Sequence, residues 1–369
     1  MQIPADLLPA DGRFGSGPSK IPGGRLEALA ATGAALMGTS HRQAPVKGLV
    51  RRVREGLATL FDLPDGYEVV LGNGGSIGFF SLATYALIRA RSQHVVFGEF
   101  AKKFAAEAAS APWLGQPTIR HAEYGARTAA VFEDDVDAYA WTHNETSTGV
   151  MAPVVRPEGA RPDQLVLIDA TSAAGGLPLD VRECDVYYFA PQKSFASDGG
   201  LWIALMSPAA IARAEELAAS ERHIPAFFDL AAAVKQSRLD QTVNTPAVAT
   251  LFLMAEQLDW MNGNGGLGGM VARTAASAEA LYGWAEASSY AAPFVADPAH
   301  RSPVVGTVEL DPAIDRAKVM AALRENGIVD VDAYRGVGTN QLRIAMYPAV
   351  DAADVAALTR CIDWVVQNL

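Results

Sequence analysis

Asp169 closes the apolar run Leu165-Val166-Leu167-Ile168-Asp169, and 24 residues later Lys193 closes Tyr187-Tyr188-Phe189-Ala190-Pro191-Gln192-Lys193. If both runs are strands, a carboxylate and a primary amine stand at the same end of a sheet. Ligands of open α/β sheets gather there, outside the carboxyl ends of the strands. An amine in that place can condense with an aldehyde and afterwards carry a proton between carbon atoms. A carboxylate favours the protonated form of a nearby ring nitrogen. Together the two residues could hold the pyridine ring of pyridoxal phosphate by its nitrogen and its aldehyde carbon. Spacing alone supports equally well a turn-capping Asp169 and a solvated loop lysine.

Such a cofactor also needs a phosphate cradle. Leu71-Gly72-Asn73-Gly74-Gly75-Ser76 links an apolar run to a helical one, which would put bare N–H groups and a hydroxyl at a helix N-terminus. It is neither a dinucleotide fingerprint, because Ile77 replaces the third glycine, nor a P-loop, because it lacks the Gly-Lys-Ser/Thr ending. On its own it reads first as a structural turn. Phe100 could stack on a flat ring, and Thr146 in Asn144-Glu145-Thr146-Ser147 could bond a ring oxygen or a phosphate. Arg343 interrupts the apolar run Leu342-Arg343-Ile344-Ala345-Met346, so it must face water or meet an anion. Arg42 and Arg335 read by themselves as solvated.

The elements that would position these residues are legible as short apolar runs. Runs near 67–71, 94–97, 138–141, 165–168, 186–189 and 201–206 lack polar alternation, as strands covered on both faces do. Helical stretches such as 101–109 lie between them, which predicts a doubly wound α/β domain. The glycine-rich run 262–269 reads as a joint. Beyond it come a helix over 270–287, a strand over 304–310, a helix over 315–325 capped by Gly327, a strand over 340–346 and a last helix from near Asp351. The stripe of that last helix is Val355, Leu358, Ile362, Val365 and Leu369.

The 369 residues are 50% apolar, enough for a sizeable core, and carry a net charge of −11. That charge argues against nucleic acid as the main partner, while small anions need only a few local arginines. Cys184 and Cys361 are too few for a disulfide framework or a metal cluster, and no metal is expected. No signal-peptide pattern or spanning apolar run is visible, so a cytoplasmic protein is expected.

The whole set of motifs resembles the phosphoserine aminotransferase family, within the class V, fold-type I pyridoxal phosphate enzymes. The resemblance is carried nearly end to end by Phe14-Gly15-Ser16-Gly17-Pro18, Ser40-His41-Arg42, Gly72-Asn73-Gly74-Gly75-Ser76, Gly98-Glu99-Phe100, His143-Asn144-Glu145-Thr146, Asp169-Ala170-Thr171-Ser172, Ala190-Pro191-Gln192-Lys193, Asn244-Thr245-Pro246 and Gln341-Leu342-Arg343. It implies a large domain (16–262) around a mostly parallel seven-stranded sheet and a small α+β domain made of 1–15 and 263–369. It implies one pyridoxal phosphate per subunit, with Lys193 as the catalytic Schiff-base lysine and Asp169 on the ring nitrogen. Phe100 would stack on the ring, where many relatives have tryptophan, and Thr146 would bond the ring hydroxyl side. Ser76, Ile77 through its backbone, and Gln192 would hold the cofactor phosphate. Asn244 and Thr245 would reach the partner's cofactor in a homodimer with shared sites. Ser16, His41, Arg42, Arg335 and Arg343 would bind substrate.

The activity so implied moves an amino group from L-glutamate to 3-phosphonooxypyruvate, giving 3-phospho-L-serine and 2-oxoglutarate for serine synthesis. A side role on 4-phosphonooxy-threonine in pyridoxine synthesis goes with it. Many relatives have arginine in place of Ile77 and histidine in place of Tyr334, both serving the substrate phosphate. The rival readings are another class V enzyme, such as a serine– or alanine–glyoxylate aminotransferase, and a protein that binds pyridoxal phosphate without turnover. A cysteine desulfurase fits less well, because Cys361 falls on the apolar side of the last helix and Cys184 looks structural.

Overall fold

The structure is a computed structural model that describes residues 1–337 and 340–369. In chain order its strands are β1 (Glu68–Gly74), β2 (Ser92–Val96), β3 (Thr118–His121), β4 (Ala138–Thr142), β5 (Asn144–Glu145), β6 (Val150–Met151), β7 (Leu165–Asp169), β8 (Val186–Phe189), β9 (Gly200–Met206), β10 (Ala291–Pro293), β11 (Val305–Leu310) and β12 (Gln341–Ala345). Its α-helices are α1 (Gly23–Thr32), α2 (Ala44–Leu60), α3 (Ser76–Ala86), α4 (Glu99–Ser110), α5 (Pro208–Ala218), α6 (Leu230–Ser237), α7 (Val248–Gly263), α8 (Gly266–Ala287), α9 (Arg316–Glu325) and α10 (Ala352–Gln367).

A seven-stranded sheet runs in the order β1-β9-β8-β7-β4-β2-β3. Its pairings are parallel from β8 through β3, and β9 runs antiparallel to both of its neighbours. Every residue of β2, β4, β7 and β8 is buried. Strands β4, β7 and β8 read as largely apolar runs for that reason, whereas β2 opens with the buried polar residues Ser92, Gln93 and His94. Alternate residues serve opposite layers. Tyr187 packs in the core that includes Leu57 of α2 and Leu251 of α7. Tyr188 packs in the core shared by Phe79 of α3, Ile211 of α5 and Val234 of α6. Edge strand β3 alternates half-buried and exposed residues, so it has no such run.

A third apolar core gathers Ile3 and Phe14 with Leu281 of α8, Val308, Ile344, Leu323 of α9 and Leu358 of α10 around the sheet β10-β11-β12. Helix α8 bridges two cores, since its Met270 belongs to the large-sheet core. The N-terminal segment is tied down by Asp354 of α10. That carboxylate accepts from the Ala10 N–H at 2.8 Å and from the buried Lys20 ammonium at 3.3 Å. Residues 11–19 are thereby strung past the carboxyl end of β8.

Three sequence expectations change. The glycine-rich run is mostly helical: α7 continues to Gly263 and α8 starts at Gly266, leaving Asn264 and Gly265 as the joint. Glycine is needed there for close approach, because a Cβ on Gly269 would lie 2.1 Å from the Asn264 carbonyl oxygen. Strand β1 continues through Gly72-Asn73-Gly74, paired with 200–202, where a loop was expected. A Cβ on Gly72 would meet the Trp202 ring at 2.4 Å. Leu369 lies beyond α10 and is exposed, while the rest of its stripe is buried. No described helix is long and apolar enough to cross a membrane.

Candidate active site

A cavity of about 390 Å³ opens at the carboxyl ends of β7 and β8. Gly17, the turn Gly74 to Gly78, Phe100, Asn144, Thr146, Asp169, Thr171, Ser172, Gln192 and Lys193 line it. The sheet topology explains the meeting: β7 delivers Asp169 at its last residue and β8 ends four residues before Lys193. A larger surface hollow of about 720 Å³ beside β10 and β11 is lined by Ser288–Ala292, Glu309–Pro312 and Asn340, with no lysine or arginine in it.

Lys193 is 8% exposed and its ammonium donates to the Ser16 carbonyl. The buried Tyr347 hydroxyl donates to that same oxygen at 3.1 Å, which fixes the acceptor. Burial and the Arg343 charge pull the Lys193 amine down to about 7, against the opposing pull of Asp169. Asp169 is 4% exposed, and burial pushes its carboxyl up to about 6. The Thr171 N–H donates to its Oδ1 at 2.9 Å, and the Thr171 hydroxyl lies within bonding distance of both Oδ1 and the Ser76 hydroxyl. Asp169 Oδ2 is left for a ligand. Behind Asp169, His143 meets the Tyr187 hydroxyl at 3.0 Å, and complete burial drops its ring to about 3, so it is neutral.

A hydroxyl network closes one wall. The Thr146 hydroxyl donates to Ser172 Oγ at 2.7 Å, and the Asn144 amide donates to the same atom at 2.8 Å. Phe100 is held by its backbone. The buried Glu145 carboxylate accepts from the N–H groups of Phe100 and Ala101, each at 3.1 Å, at the start of α4. Ser147 donates to the other Glu145 oxygen at 2.7 Å and accepts from the Glu99 N–H at 3.0 Å. Gly98 makes room for this cap, since a Cβ there would meet Glu145 Cγ at 2.0 Å.

The cavity fits pyridoxal phosphate. The start of α3 offers the N–H groups of Ser76, Ile77 and Gly78, which precede the first intrahelical bond, from Phe79 to Gly75. Asn144 Oδ1 and Gln192 Oε1 are buried on the wall without a hydrogen-bond partner, as groups awaiting a ligand would be. A Cβ on Gly17 would fall 2.0 Å from Lys193 Nζ, so only glycine lets this segment lie against the amine.

Not every expected residue lines the cavity. Ser76, Ile77, Phe100, Thr146, Asp169, Gln192 and Lys193 do. Ser16 contributes its carbonyl, while its buried hydroxyl has no partner. Arg343 reaches the wall through the Thr146 carbonyl, at 3.2 Å from its guanidinium, and its buried Nε has no partner. Arg335 is exposed on a turn outside. His41, Arg42, Asn244 and Thr245 form a separate patch, where Thr245 meets His41 at 3.2 Å and Arg42 donates to Gln241 at 2.5 Å. Asn73 ties that patch to the end of β1 by donating to the Thr245 carbonyl at 2.8 Å. Gly17, Thr171, Ser172, Glu145 and Tyr347 had no assigned role in the sequence reading. All but Tyr347 stand inside the short motifs that pointed to the site.

The model of the class-V aminotransferase family matches residues 15–358. A phosphoserine aminotransferase of Nocardioides sp. is 68% identical over 370 residues, covering 100% of this chain and 99% of that protein. The solved phosphoserine aminotransferase of Cytophaga hutchinsonii superposes with a TM-score of 0.89 at 22% identity, over 96% of this chain and 99% of that one. The pyridoxal phosphate-bound phosphoserine aminotransferase of Trichomonas vaginalis superposes with a TM-score of 0.80 at 18% identity, over 96% and 99%. With the lysine, the strand-end carboxylate and the helix N-terminus converging on one cavity, the chain belongs to the class-V aminotransferases.

Proposed function

We infer that the chain transfers the amino group of L-glutamate to 3-phosphonooxypyruvate, forming 3-phospho-L-serine and 2-oxoglutarate with pyridoxal phosphate as cofactor. The observation that carries the chemistry is that Lys193 and Asp169, both buried, line one cavity at the carboxyl ends of β7 and β8. The substrate choice is supported by the 68% identical relative of the same length.

Pyridoxal phosphate, when bound, supplies an aldehyde that captures the amine and a ring that withdraws electrons from the substrate α-carbon. Lys193, substantially uncharged at neutral pH, can attack a carbonyl carbon, and once released it can take a proton at Nζ and return it elsewhere. The Ser16 carbonyl holds Nζ between those roles. Asp169, ionised above about pH 6, can hold a ring N–H with Oδ2 while Thr171 keeps Oδ1 in place. Ser76, the Ile77 N–H and Gln192 would hold the cofactor phosphate, Thr146 would bond the ring's hydroxyl side, and Phe100 would cover its face. Arg343 would take the substrate α-carboxylate, for which its unpartnered Nε is available. Ser16, His41, Arg42 and Arg335 complete the substrate set.

A homodimer with shared sites is part of the same reading. Asn244 and Thr245 are exposed, as is Ile77 at 60% beside the cavity, which suits surfaces that a second copy covers. The division into 16–262 and 1–15 with 263–369 is supported by the separate core that takes in Ile3 and Phe14. A cytoplasmic location completes the proposal. In a coupled assay, 3-phosphoserine with 2-oxoglutarate should turn over at least tenfold faster than serine or alanine with glyoxylate, and Lys193→Ala should abolish both. A preference for glyoxylate would replace this reading with that of a glyoxylate aminotransferase.

A further inference from the structure

Two cations converge on one neutral ring at the rim of the cavity. Lys103 of α4 donates from Nζ to the Tyr334 hydroxyl at 3.0 Å, and the same nitrogen lies 4.8 Å from the centre of the Phe100 ring, which lines the cavity. The Arg343 guanidinium lies 5.3 Å from the centre of the Tyr334 ring, and Lys103 Nζ lies 5.7 Å from it. Phe100 and Tyr334 meet edge to face at 5.5 Å. Among the described residues, neither cation has a carboxylate within salt-bridge distance, whereas the neighbouring Lys102 is committed to Glu99 at 3.7 Å. Two uncompensated positive charges on one phenol suit a ligand with two anionic ends. Arg343 is the partly buried, fork-shaped member, matched to a planar carboxylate. Lys103 is the exposed point charge on a flexible stem, matched to a rotating phosphate. The exposed side chain of Ile77 offers the phosphate no charge.

We propose that Lys103 binds the phosphate monoester of the amino-acceptor substrate, and that the Tyr334 hydroxyl holds the ammonium at the rim until that dianion arrives. This rests on the phosphoserine reading above and adds a residue to it. The test uses holoenzyme carrying Lys103→Met, which keeps the stem, and Lys103→Arg, which keeps the charge. With Lys103→Met, kcat/KM for 3-phosphonooxypyruvate should fall about 10- to 100-fold, mostly through KM, the size expected for one charge-assisted contact. The same ratio for the unphosphorylated keto acid pyruvate should fall less than about threefold. Inhibition by inorganic phosphate should weaken by the same 10- to 100-fold factor, and Lys103→Arg should recover most of both losses. Equal losses on phosphorylated and unphosphorylated acids, or phosphate inhibition untouched by Lys103→Met, would overturn the proposal. If the wild-type protein fails to use phosphoserine at all, the substrate reading itself falls. The inorganic-phosphate arm still decides whether Lys103 is an anion ligand.

Discussion

Asp169 and Lys193 are each held away from their ordinary ionisation by burial, and each shift has a consequence for stability as well as chemistry. The folded-state value of Asp169, about 6, lies above that of an exposed aspartate. Its contribution to stability is therefore full below about pH 4 and is lost as pH rises through about 6. Asp169→Asn removes that cost and keeps an oxygen for Thr171. We expect the cofactor-free variant to be more stable than wild type at pH 8, by on the order of 2 kcal/mol, with the difference vanishing near pH 4. Transamination should fall by roughly 10²-fold or more. Thermal melts at the two pH values with a rate assay check both signs, and a variant destabilised at pH 8 would contradict the assignment of burial as the cause. Stability given up at a site and regained by neutralising it is the usual sign of a functional carboxylate.

At the scale of elements, the site depends on one helix start being capped from another strand. Glu145 of β5 accepts from the first N–H groups of α4 and so sets the backbone of Phe100. Burial raises the Glu145 carboxyl, and the Phe100, Ala101 and Ser147 donors oppose that rise. Glu145→Ala leaves those N–H groups without a partner in the interior and should cost about 2 kcal/mol, read as a lower Tm. Because Phe100 then loses its anchor, cofactor affinity should drop with it; a melt unchanged from wild type would show that water replaces the cap. Such cross-strand arrangements were beyond reach of the sequence. The buried strands were legible because both of their faces are covered, and β3 was not because an edge strand alternates. Asp169 and Lys193 were legible because each ends such a run. The roles of Thr171 and Ser172 were hidden, since Ser172 meets Asn144 and Thr146 across 28 and 26 residues of sequence, a contact that only the β4–β7 pairing creates. The glycines of 262–269 misled for a physical reason: glycine usually loosens a helix, but at Gly269 it permits a close backbone approach.

Over the whole molecule, the cavity is built on the large sheet, yet its amine is fixed by Ser16 and its rim by Tyr334 and Arg343. The N-terminal strap, held to α10 by Lys20 and Asp354, and the β11–β12 sheet therefore both bear on the large-sheet site. In the proposed homodimer, the exposed Arg42, Asn244 and Thr245, with the half-buried His41, would extend the same logic to a second copy. If sites are shared, Lys193→Ala and a double Asn244→Ala, Thr245→Ala variant should each be impaired alone. Refolded together, they should regain activity, because mixed dimers carry one intact site. Activity no better than the sum of the separate variants would contradict a site shared between subunits.

In the proposed function the chain carries an amino group on its cofactor between two substrates that never meet. The direct measurement loads holoenzyme with L-glutamate in the absence of any keto acid and counts the 2-oxoglutarate released. 3-Phosphonooxypyruvate is then added to the separated protein, and 3-phosphoserine is counted. The expected result is one 2-oxoglutarate per subunit in the first step and one 3-phosphoserine per subunit in the second, with the cofactor absorption band returning to its starting position. Release of no 2-oxoglutarate, or a loaded protein that passes its amino group to glyoxylate but not to 3-phosphonooxypyruvate, would contradict it.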